Sequence, residues 1–125
     1  MVPAGRLSMI DAATPLDQAM QIAAASPYSR LPVFQGTHDN VIGTLRTKDL
    51  ALQYFEGGSL PLKRIVRPIA TVDPAMTADR LLAFLREKRV HQAVVREDGR
   101  LLGLITIQDV LGAFLSDTRE GSNPS

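Results

Sequence analysis

VIGTLRTKDL (residues 41–50) and LLGLITIQDV (residues 101–110) are two versions of one phrase. In each, two apolar residues precede a glycine, and an aspartate followed by an apolar residue stands six positions beyond it. Gly43 aligns with Gly103, Asp49 with Asp109 and Leu50 with Val110, all at an interval of sixty. Upstream the interval reads sixty-one: Arg30 with His91, Val33 with Val94, Phe34 with Val95. A one-residue difference between the turns QGTHDN (35–40) and REDGR (96–100) accounts for the change. Self-similarity at a fixed period of tens of residues marks a repeated supersecondary unit.

Each copy opens on a short apolar stretch, residues 7–10 and 68–72. A helix follows. Thr14-Pro15-Leu16-Asp17 supplies a capping residue, a proline at the first helical position and an acid in the first turn. Leu16, Ala19, Met20 and Ala23 then recur at three and four, and Pro27 closes the helix. In the second copy Thr77 can cap, and Leu81, Leu82, Phe84 and Leu85 form the stripe. Two strands come next, at about 31–35 and 40–46, then at 91–96 and 101–106. Glu97-Asp98-Gly99-Arg100 is a hairpin signal. Final helices are predicted over 47–55, stopped by Gly57-Gly58, and over 107–116.

The fold class is therefore α/β (α+β): a β-α-β-β-α unit written twice. The expected segments are repeat one over 1–57, a linker over 58–67, repeat two over 68–116 and a polar, flexible tail over 117–125. A unit of this size buries too little surface to stand well alone. Two copies packed through their sheets, with pseudo-two-fold symmetry, would share a core.

Composition removes several function classes. The 125 residues are 45% apolar, enough for a packed interior, and 5% aromatic, so that interior is aliphatic. A net charge of +1 gives no case for nucleic acid. There is no cysteine, so disulfides and thiolate metal sites are excluded. Only two histidines are present, His38 in a polar turn and His91 at a strand entrance, without carboxylates at ligand spacing, so no protein-held metal is expected. No nucleophile elbow or phosphate loop occurs, and no enzyme activity is predicted.

The repeated phrase has two readings. Thr106 sits where strand becomes helix, and Asp109 lies three residues on, the spacing of a capping box that satisfies free N–H groups. The same geometry suits a nucleotide. A helix N-terminus attracts phosphate, the Thr106 hydroxyl can add a hydrogen bond, and the Asp109 carboxylate can hold a ribose diol. Gly103 within the apolar strand signals close approach of a backbone or a ligand. In the first copy Arg46 replaces the threonine and can pair with Asp49, so at most one good site is expected, the Thr106/Asp109 one.

The duplicated unit resembles the CBS domain pair, or Bateman module. Met1-Val2-Pro3, Tyr28-Ser29-Arg30-Leu31-Pro32-Val33, Val41-Ile42-Gly43 with Lys48-Asp49-Leu50, and Arg89-Val90-His91-Gln92-Ala93-Val94-Val95 are similar to the CorC/HlyC hemolysin-like family associated with magnesium and cobalt efflux. The resemblance implies a cytoplasmic regulatory domain attached to a membrane transport domain. It implies a homodimer of pairs and an adenine nucleotide, ATP or AMP, with any Mg2+ carried by the nucleotide. On that resemblance Asp109 holds the ribose and Thr106 the phosphates, and Tyr28, Ser29 and Arg30 line the same cleft. Ile10, Leu31, Pro32 and Ile107 contact the base, and Asp49 is the counterpart acid of the first copy. The alternative is a structural dimerisation module that binds no nucleotide.

Overall fold

A computed structural model describes residues 1–58 and 60–122. In chain order the elements are β1 (Val2–Pro3), β2 (Ile10–Asp11), α1 (Leu16–Ala25), β3 (Arg30–Gln35), β4 (Thr37–Arg46), α2 (Thr47–Phe55), β5 (Ala70–Val72), α3 (Ala78–Lys88), β6 (Gln92–Glu97), β7 (Arg100–Thr106) and α4 (Ile107–Ser122). Single 3₁₀ turns lie at Ala4–Arg6 and Leu62–Arg64. The β-α-β-β-α unit is present twice. The last helix runs on to Ser122, six residues past its expected end at 116; residues 123–125 of the expected tail lie outside the described residues.

One sheet has the order β2-β3-β4 and the other β1-β7-β6-β5. In both, the opening strand of the repeat runs parallel to the next and that strand forms an antiparallel hairpin with its successor. The ladders correct the alignment read from sequence. Val33 pairs with Gly43 and Val95 with Gly103. The glycines are sixty apart, so the upstream strands are offset by sixty-two, not sixty-one, and Arg30 corresponds to Gln92. The first hairpin absorbs the extra length in register shifts around Phe34. The second closes tightly, with Glu97 opposite Arg100 and positive φ at both Asp98 (53°) and Gly99 (77°), the type I′ geometry that matches strand twist.

Pro32 lies inside the central strand of the first sheet, where a missing N–H is normally excluded. The register explains its tolerance. Pro32 faces Thr44, whose N–H and C=O both bond Arg67 instead (2.9 and 2.8 Å), so β4 asks nothing of the proline nitrogen. On the other side β2 pairs only from Val33 onward.

Helix ends follow local chemistry. Pro15 occupies the N-cap of α1 rather than its first helical position, and no side chain caps that end. The approach is shaped by Asp11, whose carboxylate accepts the Ala13 N–H at 3.0 Å. At the end of α2, Gly57 (φ 68°) lets Gly57 N–H reach Tyr54 O and Gly58 N–H reach Gln53 O, a Schellman closure. At the end of α3 the same two bonds form around Arg89, which carries a left-handed φ of 57° without being glycine.

Each half has its own aliphatic core. The first gathers Ile10, Ala19, Ala23, Leu31, Val33, Leu45, Leu50 and Leu62. The second gathers Val72, Leu81, Leu85, Ala93, Val95 and Val110. The predicted stripes of α1 and α3 are the faces turned inward. Leu50 (0% exposed) and Val110 (1%) fill equivalent places, which is why an apolar residue follows each repeated aspartate.

The compact units do not follow the sequence segments. Met1–Arg6 groups with the chain from Ala70 onward, and Leu7–Ile69 forms the other unit. Thus β1 is an edge strand on β7, with Val2 opposite Leu104 and Pro3 opposite Gly103. The linker supplies the matching edge to the first unit, where Arg67 bridges Thr44. Both glycines of the repeated phrase exist for this contact. A Cβ on Gly103 would stand 2.4 Å from Val2 O, and one on Gly43 would stand 2.3 Å from Arg67 O. Of the two causes open for Gly103, a backbone is what approaches.

Candidate nucleotide site

At the β7–α4 junction both halves of the capping box are made. Thr106 N–H donates to Asp109 Oδ2, and Asp109 N–H donates to Thr106 Oγ1, each at 3.1 Å. The Asp109 side chain keeps 35% of its surface exposed, and its Oδ1 has no hydrogen-bond partner among the described residues. The cap therefore uses one carboxylate oxygen and leaves the other presented. The Thr106 hydroxyl, an acceptor within the cap, still has its own proton to donate. Ile107 N–H bonds His91 O at 3.0 Å, tying the helix start to the entrance of β6. The Ile107 side chain is half-buried against the second core.

The equivalent junction of the first half is built differently. Arg46 holds the N-cap position of α2 and caps no N–H. Its guanidinium grips Asp49, Nε to Oδ2 at 2.8 Å and Nη2 to Oδ1 at 3.1 Å, the fork geometry of strong Arg–carboxylate pairs. Arg67 adds Nε to Oδ2 at 3.2 Å. The Arg46 hydrogen bond, with Arg67 behind it, holds the Asp49 carboxyl below its ordinary value. The pairing of Arg46 with Asp49 expected from sequence is thus formed. A cavity of about 410 Å³ borders Asp49, lined also by Leu52, Gln53, Arg64, Val66 and Arg67.

Arg67 was not singled out by sequence reasoning. A signal existed: Arg67-Pro68 repeats Val2-Pro3, and each dipeptide meets the glycine strand of its own unit. The expected segments put Val2-Pro3 in repeat one and split Arg67-Pro68 between the linker and repeat two.

The remaining candidates divide by exposure. Tyr28 (58% exposed) and Ser29 stand at the surface, and Arg30 is half-buried at the start of β3. Ser29 O accepts both Thr47 N–H (3.0 Å) and Thr47 Oγ1 (3.3 Å), which fixes this loop on the start of α2. Ile10 (2%) and Leu31 (1%) are core side chains, and Pro32 is buried, so what they can offer a ligand is backbone. His38 lies edge-on to Phe34 at 4.4 Å, and His91 is exposed. Among the described residues no group of His, Asp and Glu could hold a metal ion, and no helix is long and apolar enough to cross a membrane.

Comparison with known proteins places this arrangement. The CBS domain profile matches twice, over residues 5–55 and 62–116. The magnesium and cobalt efflux protein CorC of Vibrio cholerae is 34% identical over 123 residues, which cover 96% of this chain and 42% of that protein. Hemolysin C of Rickettsia prowazekii is 35% identical over 113 residues, 89% of this chain and 37% of that one. The curated relatives extend further: the chain spans between 28% and 42% of their length. A solved structure of the CBS domain of the bacterial CNNM/CorC family Mg2+ transporter in complex with ATP superposes with a TM-score of 0.84 at 30% identity, covering 92% of this chain and 83% of that one. Two CBS profile matches in tandem, together covering most of the chain, show that it belongs to the CBS domain family as a CBS pair of the CorC/HlyC kind.

Proposed function

We infer that this CBS pair is an adenine-nucleotide sensor that regulates a CorC/HlyC-like membrane ion transporter from the cytoplasmic side. The observation that carries the reading is the free Oδ1 of Asp109 beside the Thr106 hydroxyl at a helix N-terminus. A ribose diol needs a carboxylate oxygen that is not already spent, and phosphate favours the positive end of the helix dipole. The ATP complex of the CNNM/CorC relative supports the nucleotide class. In this reading Asp109 takes the ribose and Thr106 the phosphates, and Arg30 adds charge, with Tyr28 and Ser29 beside it. Ile10, Leu31, Pro32 and Ile107 supply backbone and apolar contacts to the base. ATP or AMP is the ligand, Mg2+ arrives with it, and the pair works as a homodimer. Regulation requires that the nucleotide bind two arrangements of the attached transport domain unequally. No covalent step is involved.

A second reading, a dimerisation module without ligand, is favoured by the capping box itself. The cap gives Thr106 and Asp109 a structural use that needs no nucleotide. Titration calorimetry with ATP and AMP, with and without Mg2+, separates the two. The sensor gives saturable heat that Asp109→Ala abolishes while the variant still melts cooperatively. Absence of heat at millimolar nucleotide, or binding undiminished by Asp109→Ala, overturns the site.

A further inference from the structure

The two halves carry the same aspartate in different states. Asp109 spends Oδ2 on its own helix start, with the Met1 ammonium 3.9 Å from that same oxygen, and keeps Oδ1 open. Asp49 spends both: Oδ1 on Arg46, and Oδ2 on Arg46 and Arg67. Three charge-assisted donors occupy the acceptor positions a sugar diol would need. The clamp is partly sheltered, with side-chain exposures of 23% for Arg46 and 21% for Asp49. Arg67 is also held by its backbone, through the two hydrogen bonds to Thr44 and the close approach over Gly43. The guanidinium groups on Asp49 are therefore placed by two segments bonded to each other, the end of β4 and the linker at Arg67.

We propose that Arg46 is an internal plug: with Arg67 it occupies the carboxylate of a latent nucleotide-ribose site at Asp49, and residue 46 decides whether the pair takes one nucleotide or two. The proposal rests on the sensor reading for its ligand class. The counterpart of Arg46 is Thr106, so Arg46→Thr rebuilds in the first half what the second half already has. The introduced hydroxyl would accept the Asp49 N–H, and the backbone N–H at position 46 would donate to Asp49 Oδ2, which compensates the lost ion pair with a cap. Arg67 stays on Oδ2, Oδ1 is released, and the carboxylate already borders a cavity of about 410 Å³.

The test is ATP titration, with and without Mg2+, of the wild type, Arg46→Thr, Asp109→Ala and the Arg46→Thr/Asp109→Ala double variant, each first shown to melt cooperatively. Arg46→Ser stands in if the threonine variant does not fold. The plug predicts one ATP per chain in the wild type, two in Arg46→Thr, and one in the double variant that Asp49→Ala then removes. A folded Arg46→Thr that still binds one, or a wild type that binds two and loses one to Asp49→Ala, overturns it. Absence of heat from the wild type speaks against the Asp109 site alone. The plug is then judged on the double variant, where one bound ATP upholds it and none overturns it. A ligand-free readout is the Arg46 Nε–H proton. It should exchange about tenfold more slowly than that of exposed Arg80, as expected for a hydrogen bond of about 1.5 kcal/mol, and lose that protection in Asp49→Asn; equal exchange in the wild type overturns the clamp.

Discussion

Gly43→Ala tests why the phrase repeats its glycine. The added Cβ would lie 2.3 Å from Arg67 O and 2.4 Å from Val66 Cγ1, where ordinary contact begins at 3.4 Å. The valine methyl can rotate, but the carbonyl oxygen is backbone, so the linker must retreat by about 1.1 Å. Hydrogen bonds of 2.8 and 2.9 Å between Arg67 and Thr44 do not survive that displacement. Two backbone bonds contribute about 1 kcal/mol each, and Thr44 is buried and cannot exchange them freely for water. Adding about 1 kcal/mol of overpacking strain brings the expected loss to about 3 kcal/mol, or about 10 °C in Tm for a chain of this size. Urea and thermal unfolding measure it, with Gly5→Ala as control, since nothing lies within 4 Å of a Cβ there. Amide exchange localises it: Thr44 and Arg67 should lose protection together, while Val94 and Leu104 in the other sheet keep theirs. A Gly43→Ala protein with unchanged Tm and a protected Arg67 amide would refute the close-approach argument.

The other expectations are smaller. Asp49 has a folded pKa held below 3.8, chiefly by the Arg46 hydrogen bond, so its contribution is present above that pH and is lost as pH falls through the lower folded value. The stability gap between wild type and Asp49→Asn, measured by urea unfolding, should therefore be largest near neutrality and close below pH 3.8; a gap that widens with acid would contradict the clamp. Arg89→Gly should raise stability by about 0.5–1 kcal/mol, because the left-handed position costs a residue with a Cβ about 1–2 kcal/mol and glycine returns part of this as chain entropy. Thermal melts decide it, and a loss of stability would mean that the Arg89 side chain does more than end the helix. Asp109→Ala should also cost about 1 kcal/mol in the absence of nucleotide, the worth of a cap, and an unchanged melt would argue against the capping box.

The order of elements, the stripes of α1 and α3, the tight Asp98-Gly99 turn and the pairing of Arg46 with Asp49 were all legible in the chain. Each depends on residues close in sequence, where periodicity, turn chemistry and side-chain reach act without help from the fold. Two features were not legible, and a third was so only in part. The interval of sixty-two between upstream strands needed the ladders, because register shifts around Phe34 swallow residues that an ungapped comparison counts. The exchange of edge strands, by which residues 1–6 join the second unit and Arg67 the first, needed tertiary contacts, because strand pairing is non-local and an X-Pro dipeptide says only that a segment is extended. The unequal state of the two aspartates was half visible. Sequence showed that residue 46 is arginine, but Arg67 reaches Asp49 only because the linker strand lies against Gly43, and that proximity belongs to the folded chain.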